Sequence, residues 1–404
     1  MKRRITFVEQ YYYPEGWGGA QLPRDLTVCL HDQGYCIDVI CGSEAYVEEG
    51  KLAGIDPASI GIKVKRVPRL WPGDPRKWRL LRHLWFYAFA TCRLMFGRRP
   101  DLFIVQTNPP LIVVISAFVS LVRRKPMMVI AQDLYPEALA AVATSRLTRS
   151  LVRLLERPFN WAYRRANAIV SLGEAMTRRL HEKGVSPARI VVISNWATGS
   201  LKPVQREANT LVDTWGTRGR TVFIYSGNMG IGHEFDTLLE SLDLASRTQP
   251  GIVMLFVGRG ARLRQVKSYS AEHQLADTIR LHDFVPSDKL NESLGIADLA
   301  VVTLQPGFAG LSVPSKMLGY MARGIPVLYI GPPGDVDQLI ARAGCGYSYR
   351  NGDVSGVSKL LMRVATGSEQ IAVRGENGRD YYEANLSRER ALSAYSALVA
   401  QCVG

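Results

Sequence analysis

Short apolar runs recur along this chain, each leading into a turn and then into a stretch with helical spacing. In the first half strands are expected at residues 5–8, 36–41, 62–67, 101–106, 126–131, 168–171 and 190–193, all but the charged 62–67 largely apolar. Helical stretches follow at about 21–32, 110–123, 150–165 and 173–183. Apolar runs of this length, bounded by helices, are those of parallel strands covered on both faces. The alternation therefore predicts an α/β fold. It stops at 201–219, which is polar and lacks a strong period. It then resumes with strands at 221–226, 252–257, 279–284, 300–304 and 327–330. The expected organisation is a Rossmann-like domain over 1–200, a linker over 201–219, a second Rossmann-like domain over 220–385 and a closing helical segment, 386–404, packing back on the first domain. A length of 404 residues suits that count.

Composition narrows the class. Lys plus Arg is 50 against 36 Asp plus Glu, a net charge of +14, which favours an anionic partner. The six cysteines form no C-x-x-C pair and no paired Cys/His spacing, which argues against a zinc site or a disulfide framework. The apolar start of the chain, about five residues, is too short for a signal-peptide core. No run reaches the ~18 apolar residues of a membrane span. The nearest, 111–122, reads as a buried helix.

The richest local chemistry lies in GFAGLSVPSKMLGYMARGIPVLYIG, 307–331. Gly307, Gly310 and Ser312 give a backbone that a ligand can approach closely. Pro314, Ser315 and Lys316 fit a first helical turn, where free N–H groups, the dipole and the lysine charge would favour an anion. Met317, Tyr320 and Met321 form a buried face, and Gly324 stops the helix. An ordinary turn with a solvated lysine is the alternative. Two further glycine turns end strands: 227–233 and 258–260. The glycine loop of the first domain, 11–20, is not G-x-G-x-x-G, so no dinucleotide reading follows.

Eight motifs in order make the chain recognisable. They are YYYPEGWGGAQ, VQTNPP, DLYPE, ISNW, YSGNMGIGHEFDTLL, FVGRG, HDFVP and PGFAGLSVPSKMLGYMARGIPV. The chain resembles glycosyltransferase family 4, retaining enzymes of the GT-B fold. More narrowly it resembles the bacterial branch that adds sugars to lipid-linked carriers during surface-polysaccharide synthesis. The resemblance implies two facing Rossmann-like domains with a cleft between them, and a nucleotide-sugar donor, with UDP-sugars favoured.

The resemblance also implies site residues. Gly227, Asn228, Gly230 and His233 would meet the donor phosphates, and Val285 the base. Gly310, Leu311, Ser312 and Ser315 would line the donor, and Gly18 and Gly19 would approach the sugar or β-phosphate. Lys316 would neutralise the departing diphosphate with Arg259 beside it. Asp133 and Glu137 would bind sugar or acceptor hydroxyls, although Asp133 also fits a helix N-cap. The family's Glu-x7-Glu pair is absent, its positions reading Leu311 and Gly319. The usual Arg and Lys after the first strand of the second domain read Asn228 and His233. No metal and no cofactor are expected.

Residues 76–99 carry arginines and aromatics and no acid. Such a helix can lie on an anionic bilayer, with Arg79 and Arg82 on phosphates and Trp85 and Phe86 inserted. A helix packed on the sheet with arginines pointing outward is the alternative. No nucleic-acid motif accompanies the charge. The partners expected are thus a nucleotide sugar, a polyprenyl-type lipid-linked acceptor and an anionic membrane at the cytoplasmic inner face. An epimerase of the same fold and a non-catalytic sugar- or lipid-binding homologue are the rival functions.

Overall fold

The computed structural model describes residues 2–14, 18–43, 56–70, 78–143, 145–199, 201, 206, 209–286 and 288–404. The chain divides into two compact units. The first holds Met1–Asn195, Gly310–Val313 and Arg388–Gly404; the second holds Trp196–Ala309 and Pro314–Ser387.

The first unit runs β1 (Arg4–Val8), α1 (Gly18–Asp32), β2 (Cys36–Cys41), β3 (Lys63–Arg66), α2 (Arg79–Phe96), β4 (Leu102–Gln106), α3 (Ile112–Arg123), β5 (Met127–Ile130), α4 (Glu137–Ala141), α5 (Arg146–Arg165), β6 (Ala168–Ser171), α6 (Glu174–Glu182) and β7 (Ile190–Val192). The strands are all parallel, in the order β3-β2-β1-β4-β5-β6-β7. The inner strands β4, β5 and β6 are buried at every residue, as strands covered on both faces must be. Helix α1 opens at Gly18, so Gly18 and Gly19 are helical rather than loop residues. Helix α5 starts four residues before the expected 150, because the Ser145 hydroxyl accepts from Thr148 N at 3.0 Å and caps it.

The second unit runs α7 (Leu211–Thr214), β8 (Thr221–Ser226), α8 (Asp236–Ser246), β9 (Ile252–Val257), α9 (Leu263–Glu272), β10 (Ile279–His282), α10 (Leu290–Leu294), β11 (Leu299–Thr303), α11 (Lys316–Arg323), β12 (Val327–Ile330), α12 (Asp335–Ala343), β13 (Gly346–Tyr349), α13 (Val354–Ala365) and α14 (Ala372–Asn385). Its parallel sheet is ordered β10-β9-β8-β11-β12-β13. Both sheets thus reverse their winding beside their own first strand, between β1 and β4 and between β8 and β11. Open α/β sheets bind ligands at the carboxyl ends of the strands flanking such a point. The stretch 201–219, expected as a linker, groups with this unit where it is described. Val212 and Thr217 are buried, and Arg206 donates to Asp298 Oδ1 at 2.7 Å. The last helix, α15 (Arg388–Val403), groups with the first unit, where Arg388 Nε donates to Asp25 Oδ2 at 2.8 Å.

Helix α2 corrects the expected membrane contacts. Phe86 is 2% exposed and sits in the core of the first unit. Trp85 packs against the same core, and its indole N–H donates to Pro68 O at 3.1 Å. The apolar face with the strongest packing partners turned inward and took these aromatics with it. Arg82 is half-buried, and the side chain of Arg79 lies outside the described residues, as do Arg76 and Lys77.

Candidate active site

The second unit gathers its chemistry where β8 and β11 part. Strand β8 ends in Tyr225 and Ser226, and the chain then turns through Gly227 at φ +130°. This turn is clamped to the one after β9. Met229 N donates to Arg259 O at 2.8 Å, and Arg262 N donates to Met229 O at 2.9 Å. The clamp needs glycine on the facing strand end. A Cβ at Gly258 would lie 2.2 Å from Gly227 O, and one at Gly260 would lie 2.3 Å from Met229 O. A Cβ at Gly227 itself would meet Lys316 Cε at 3.4 Å, so the lysine stem crosses directly over this turn.

Lys316 is the first residue of α11, one position past Ser315 at the N-cap. Pro314 precedes the helix rather than occupying its first turn. The Lys316 ammonium donates to the Tyr225 hydroxyl and to His233 Nε2, the latter at 3.2 Å. It also lies 3.9 Å from the Tyr225 ring centroid, a cation–π contact. The Tyr225 hydroxyl in turn donates to Asn228 O at 2.9 Å. Lysine, tyrosine and the glycine turn are therefore one hydrogen-bonded relay. His233 completes it: its Nδ1–H donates to Thr303 O at 2.7 Å, which leaves Nε2 as the acceptor facing Lys316.

The electrostatics follow from this geometry. Burial lowers the His233 pKa to about 3, helped by the nearby charges of Lys316 and Arg262, so the ring is neutral. Burial also depresses the Lys316 ammonium well below its ordinary value. Burial raises Tyr225 well above the ordinary phenol, so it stays protonated. Among the described residues, the partners of Lys316 are thus a phenol and an imidazole, neither of them anionic. Arg262, at the start of α9, adds a second cation whose Nε is buried and makes no hydrogen bond. Two cations facing a neutral ring make a place where an anion gains more than it does in water.

The other expected donor residues divide. Asn228 is exposed, and Gly230 faces its side-chain amide, with a Cβ there 3.2 Å from Nδ2. Arg259 forks onto Asp283 with Nε–Oδ1 2.8 Å and Nη2–Oδ2 3.1 Å, an exposed pair that holds its guanidinium in place. Val285 is half-buried beyond the end of β10. Gly310, Leu311 and Ser312 group with the first unit, whereas Ser315 and Lys316 group with the second. Leu311 is a core residue there: its side chain is buried, and its carbonyl accepts from Leu134 N at 2.8 Å. Gly310 has φ +67°, and a Cβ there would lie 3.0 Å from Ala175 O.

In the first unit, Asp133 pairs with Ser312 in an isolated antiparallel bridge and hydrogen-bonds its side chain. Asp133 caps no helix, because α4 begins at Glu137 with Pro136 at its N-cap. Its loop is fixed by Thr107, whose hydroxyl accepts from Gln132 N at 3.1 Å and Asp133 N at 3.2 Å. Gln132 and Asn195 exchange amide hydrogen bonds of 3.2 and 2.9 Å behind it. Glu137 is engaged by the buried Lys183, which also donates to Asn160 Oδ1 at 3.2 Å. That pairing uses Glu137 Oε1, while its Oε2 is buried and makes no hydrogen bond among the described residues.

Burial raises the Asp133 carboxyl, and the Ser312 hydroxyl only partly offsets this. A raised carboxyl favours the protonated folded state, so its charge costs stability once pH exceeds the unfolded value. Asp133→Asn removes that cost and keeps a polar partner for Ser312. The variant is expected to melt at the same temperature as the parent or higher at neutral pH. A clear drop in differential scanning fluorimetry would mean that Asp133 is an anion the fold depends on.

Tyr225, Arg262, Gln132 and Asn195 were not singled out from the sequence. The signal for Tyr225 was its place one residue before Ser226-Gly227-Asn228, at the mouth of a buried strand.

Comparison with known proteins identifies the family and the fold. A family model described as "Glycosyl transferase 4-like domain" matches residues 18–196, and one described as "Glycosyl transferases group 1" matches residues 215–381. Over 315 residues the chain is 28% identical to the probable glycosyltransferase WbjE of Pseudomonas aeruginosa, spanning 78% of each chain. HepE of Anabaena, solved in complex with UDP, superimposes with a TM-score of 0.74 at 13% identity, over 99% of this chain and 100% of that one. Sucrose-phosphate synthase of Thermosynechococcus elongatus gives 0.75 at 15% identity, over 99% of each chain. With glycosyltransferase models matching both halves in order and a two-sheet GT-B architecture, the chain belongs to glycosyltransferase family 4 and is a transferase.

Proposed function

We propose that the chain moves a hexose-type sugar, with retention, from a nucleoside-diphosphate sugar to a lipid-linked acceptor of polyprenyl type during glycan assembly. The observation that carries this reading is the Lys316 ammonium, enclosed by Tyr225 and His233 over the Gly227 turn. Transfer breaks the bond between the anomeric carbon and the phosphate oxygen and leaves negative charge on the diphosphate. A fixed cation in a desolvated setting stabilises that charge as it develops. The acceptor hydroxyl then bonds to the anomeric carbon on the same face, and its proton passes to the departing phosphate. Arg262, whose charge acts on His233, shares the diphosphate charge in this scheme. The uridine base is favoured because a structural neighbour, HepE, was solved with UDP.

The scheme needs no metal or cofactor, since Lys316 and Arg262 supply the positive charge. Its site of action is the inner face of the cytoplasmic membrane, where donor and lipid-borne acceptor meet. Among the described residues no helix is long and apolar enough to cross a membrane, so attachment is peripheral in this scheme.

The test is a melting-temperature panel with UDP, GDP, ADP and dTDP, each free and as a nucleotide sugar. A ligand at 100 times its Kd stabilises the native state by about 2.7 kcal/mol. UDP is expected to raise the melting temperature most, and transfer is expected to persist in a chelator. No shift with any of the four diphosphates would remove the donor reading. Complete loss of transfer in chelator, restored by magnesium or manganese, would remove the metal-free scheme.

A further inference from the structure

Helix α2 buries one face through Phe86, Ala90 and Leu94. The opposite face is also apolar. Leu80 is 72% exposed, Leu84 52% and Phe96 84%, and Ala88 and Cys92 between them are exposed too. These five recur every four residues, so they form a ridge inclined to the axis, winding about 160° around a helix of 18 residues that is about 27 Å long, with Ala88 at its middle. A surface helix ordinarily carries charge there. The apolar surface continues on α3. Phe118 is 55% exposed, and Leu121 and Val122 are exposed in its last turn. The ends of the two helices are tied together: Arg123 Nη1 donates to Leu94 O at 2.7 Å and to Gly97 O at 3.0 Å. Phe96 and the α3 end therefore lie at the same end of one helix pair.

The surrounding charge is one-sided. Arg93, Arg98, Arg99 and Arg124 are exposed around this end. Residues 75–100 contain no acid, and Asp101 is paired with Lys125 at 3.2 Å. We infer that the outward ridge of α2 and the end of α3 form a docking face for an anionic lipid bilayer. The face asks for two things at once, apolar material along its length and anions around its rim. A bilayer surface offers both, with acyl chains for Leu84, Phe96 and Phe118 and headgroup phosphates for the arginines. This rests on the reading of a membrane-borne acceptor and names the surface that would meet the membrane.

The experiment is flotation of the full chain with vesicles of phosphatidylcholine alone or mixed with phosphatidylglycerol. The parent is expected to float with the anionic vesicles at low salt, less at high salt, and not with the neutral ones. Replacing Leu80, Leu84, Phe96 and Phe118 together by Gln should lower partitioning by about tenfold or more. All four are exposed, so the fold is expected to survive, and circular dichroism and the UDP melting shift check it. Arg93→Gln with Arg98→Gln and Arg124→Gln should separately remove the preference for anionic vesicles. If the four-glutamine variant floats as well as the parent, the face does not dock on lipid. If the parent is a dimer by light scattering and the variant a monomer, the occupant is a second copy and the proposal falls. Flotation needs neither donor nor acceptor, and the UDP shift needs no membrane, so failure of one reading is visible without the other.

Discussion

Replacing Lys316 by Ala is expected to lower turnover by about 10²-fold or more while the fold survives. The argument begins in the resting state. The Lys316 ammonium is depressed by burial and, among the described residues, its hydrogen-bond partners Tyr225 and His233 are neutral. A lysine whose folded pKa lies below its unfolded value costs stability at every pH where the unfolded chain would be protonated. That cost is largest below the folded pKa, and it vanishes once pH passes the unfolded value. Lys316→Ala and Lys316→Met remove it, so both variants are expected to melt at least as high as the parent near neutral pH. A departing diphosphate reverses the balance by supplying the missing anion. Loss of activity and preserved or raised melting temperature should therefore appear together. The same logic makes UDP binding take up protons at pH values between the depressed pKa of Lys316 in the free protein and its higher pKa in the complex, as the diphosphate draws the lysine back toward its ordinary value. Calorimetry in buffers of different ionisation enthalpy reads this uptake, and Lys316→Ala should abolish it. Near-parental turnover in Lys316→Ala would remove the lysine from the mechanism.

The architecture was legible because it rests on local pattern. Strands β2, β6, β8 and β9 start and stop where their apolar runs do. Such runs leave no other stable placement than the middle of a parallel sheet. Helix boundaries were less legible where a side chain decided them, as the Ser145 cap did for α5. The site was only half legible. Lys316 stood out by its position at a helix start, but its partners lie 91 and 83 residues away in sequence. No local window can show that a tyrosine and a histidine will meet a lysine at that separation. His233 was read as a donor-phosphate ligand, and burial and Thr303 make it a neutral acceptor for Lys316. Leu311 failed for the opposite reason: its motif position suggested a donor contact, while its apolar side chain followed the core. The arginine and aromatic content of α2 was visible, but which face turns inward depends on the partner surface. The structure places Phe86 inside and Leu84 outside.

Gly260→Ala is expected to be strongly destabilising, and to weaken nucleotide binding with it. Gly260 has φ +153°, and a Cβ there would meet Met229 O at 2.3 Å, its carbonyl carbon at 2.4 Å and its amide N at 2.7 Å. All three are backbone atoms of the clamped turn, so no side-chain rotation relieves the clash. Strain at a disfavoured backbone conformation costs about 1–3 kcal/mol. Forcing a methyl into a filled space adds about 1–3 kcal/mol more. The sum is a large share of the roughly 5–15 kcal/mol that holds a protein folded. A shift of about 2–4 °C per kcal/mol then predicts a fall in melting temperature on the order of 10 °C. Gly34→Ala is the control. Gly34 has φ +92° with nothing within 4 Å of its Cβ position, so that variant carries strain without the clash. It should lose only the smaller term. The functional consequence follows from where the clash lands. Met229 is flanked by Asn228, whose carbonyl accepts from Tyr225, and Tyr225 positions Lys316. Pushing the turn away from Gly260 loosens that relay. Nucleotide affinity should therefore fall in Gly260→Ala at temperatures where it is still folded, and stay parental in Gly34→Ala. Equal melting of the two variants would mean that the turn yields easily and that the clamp does not hold the relay in place.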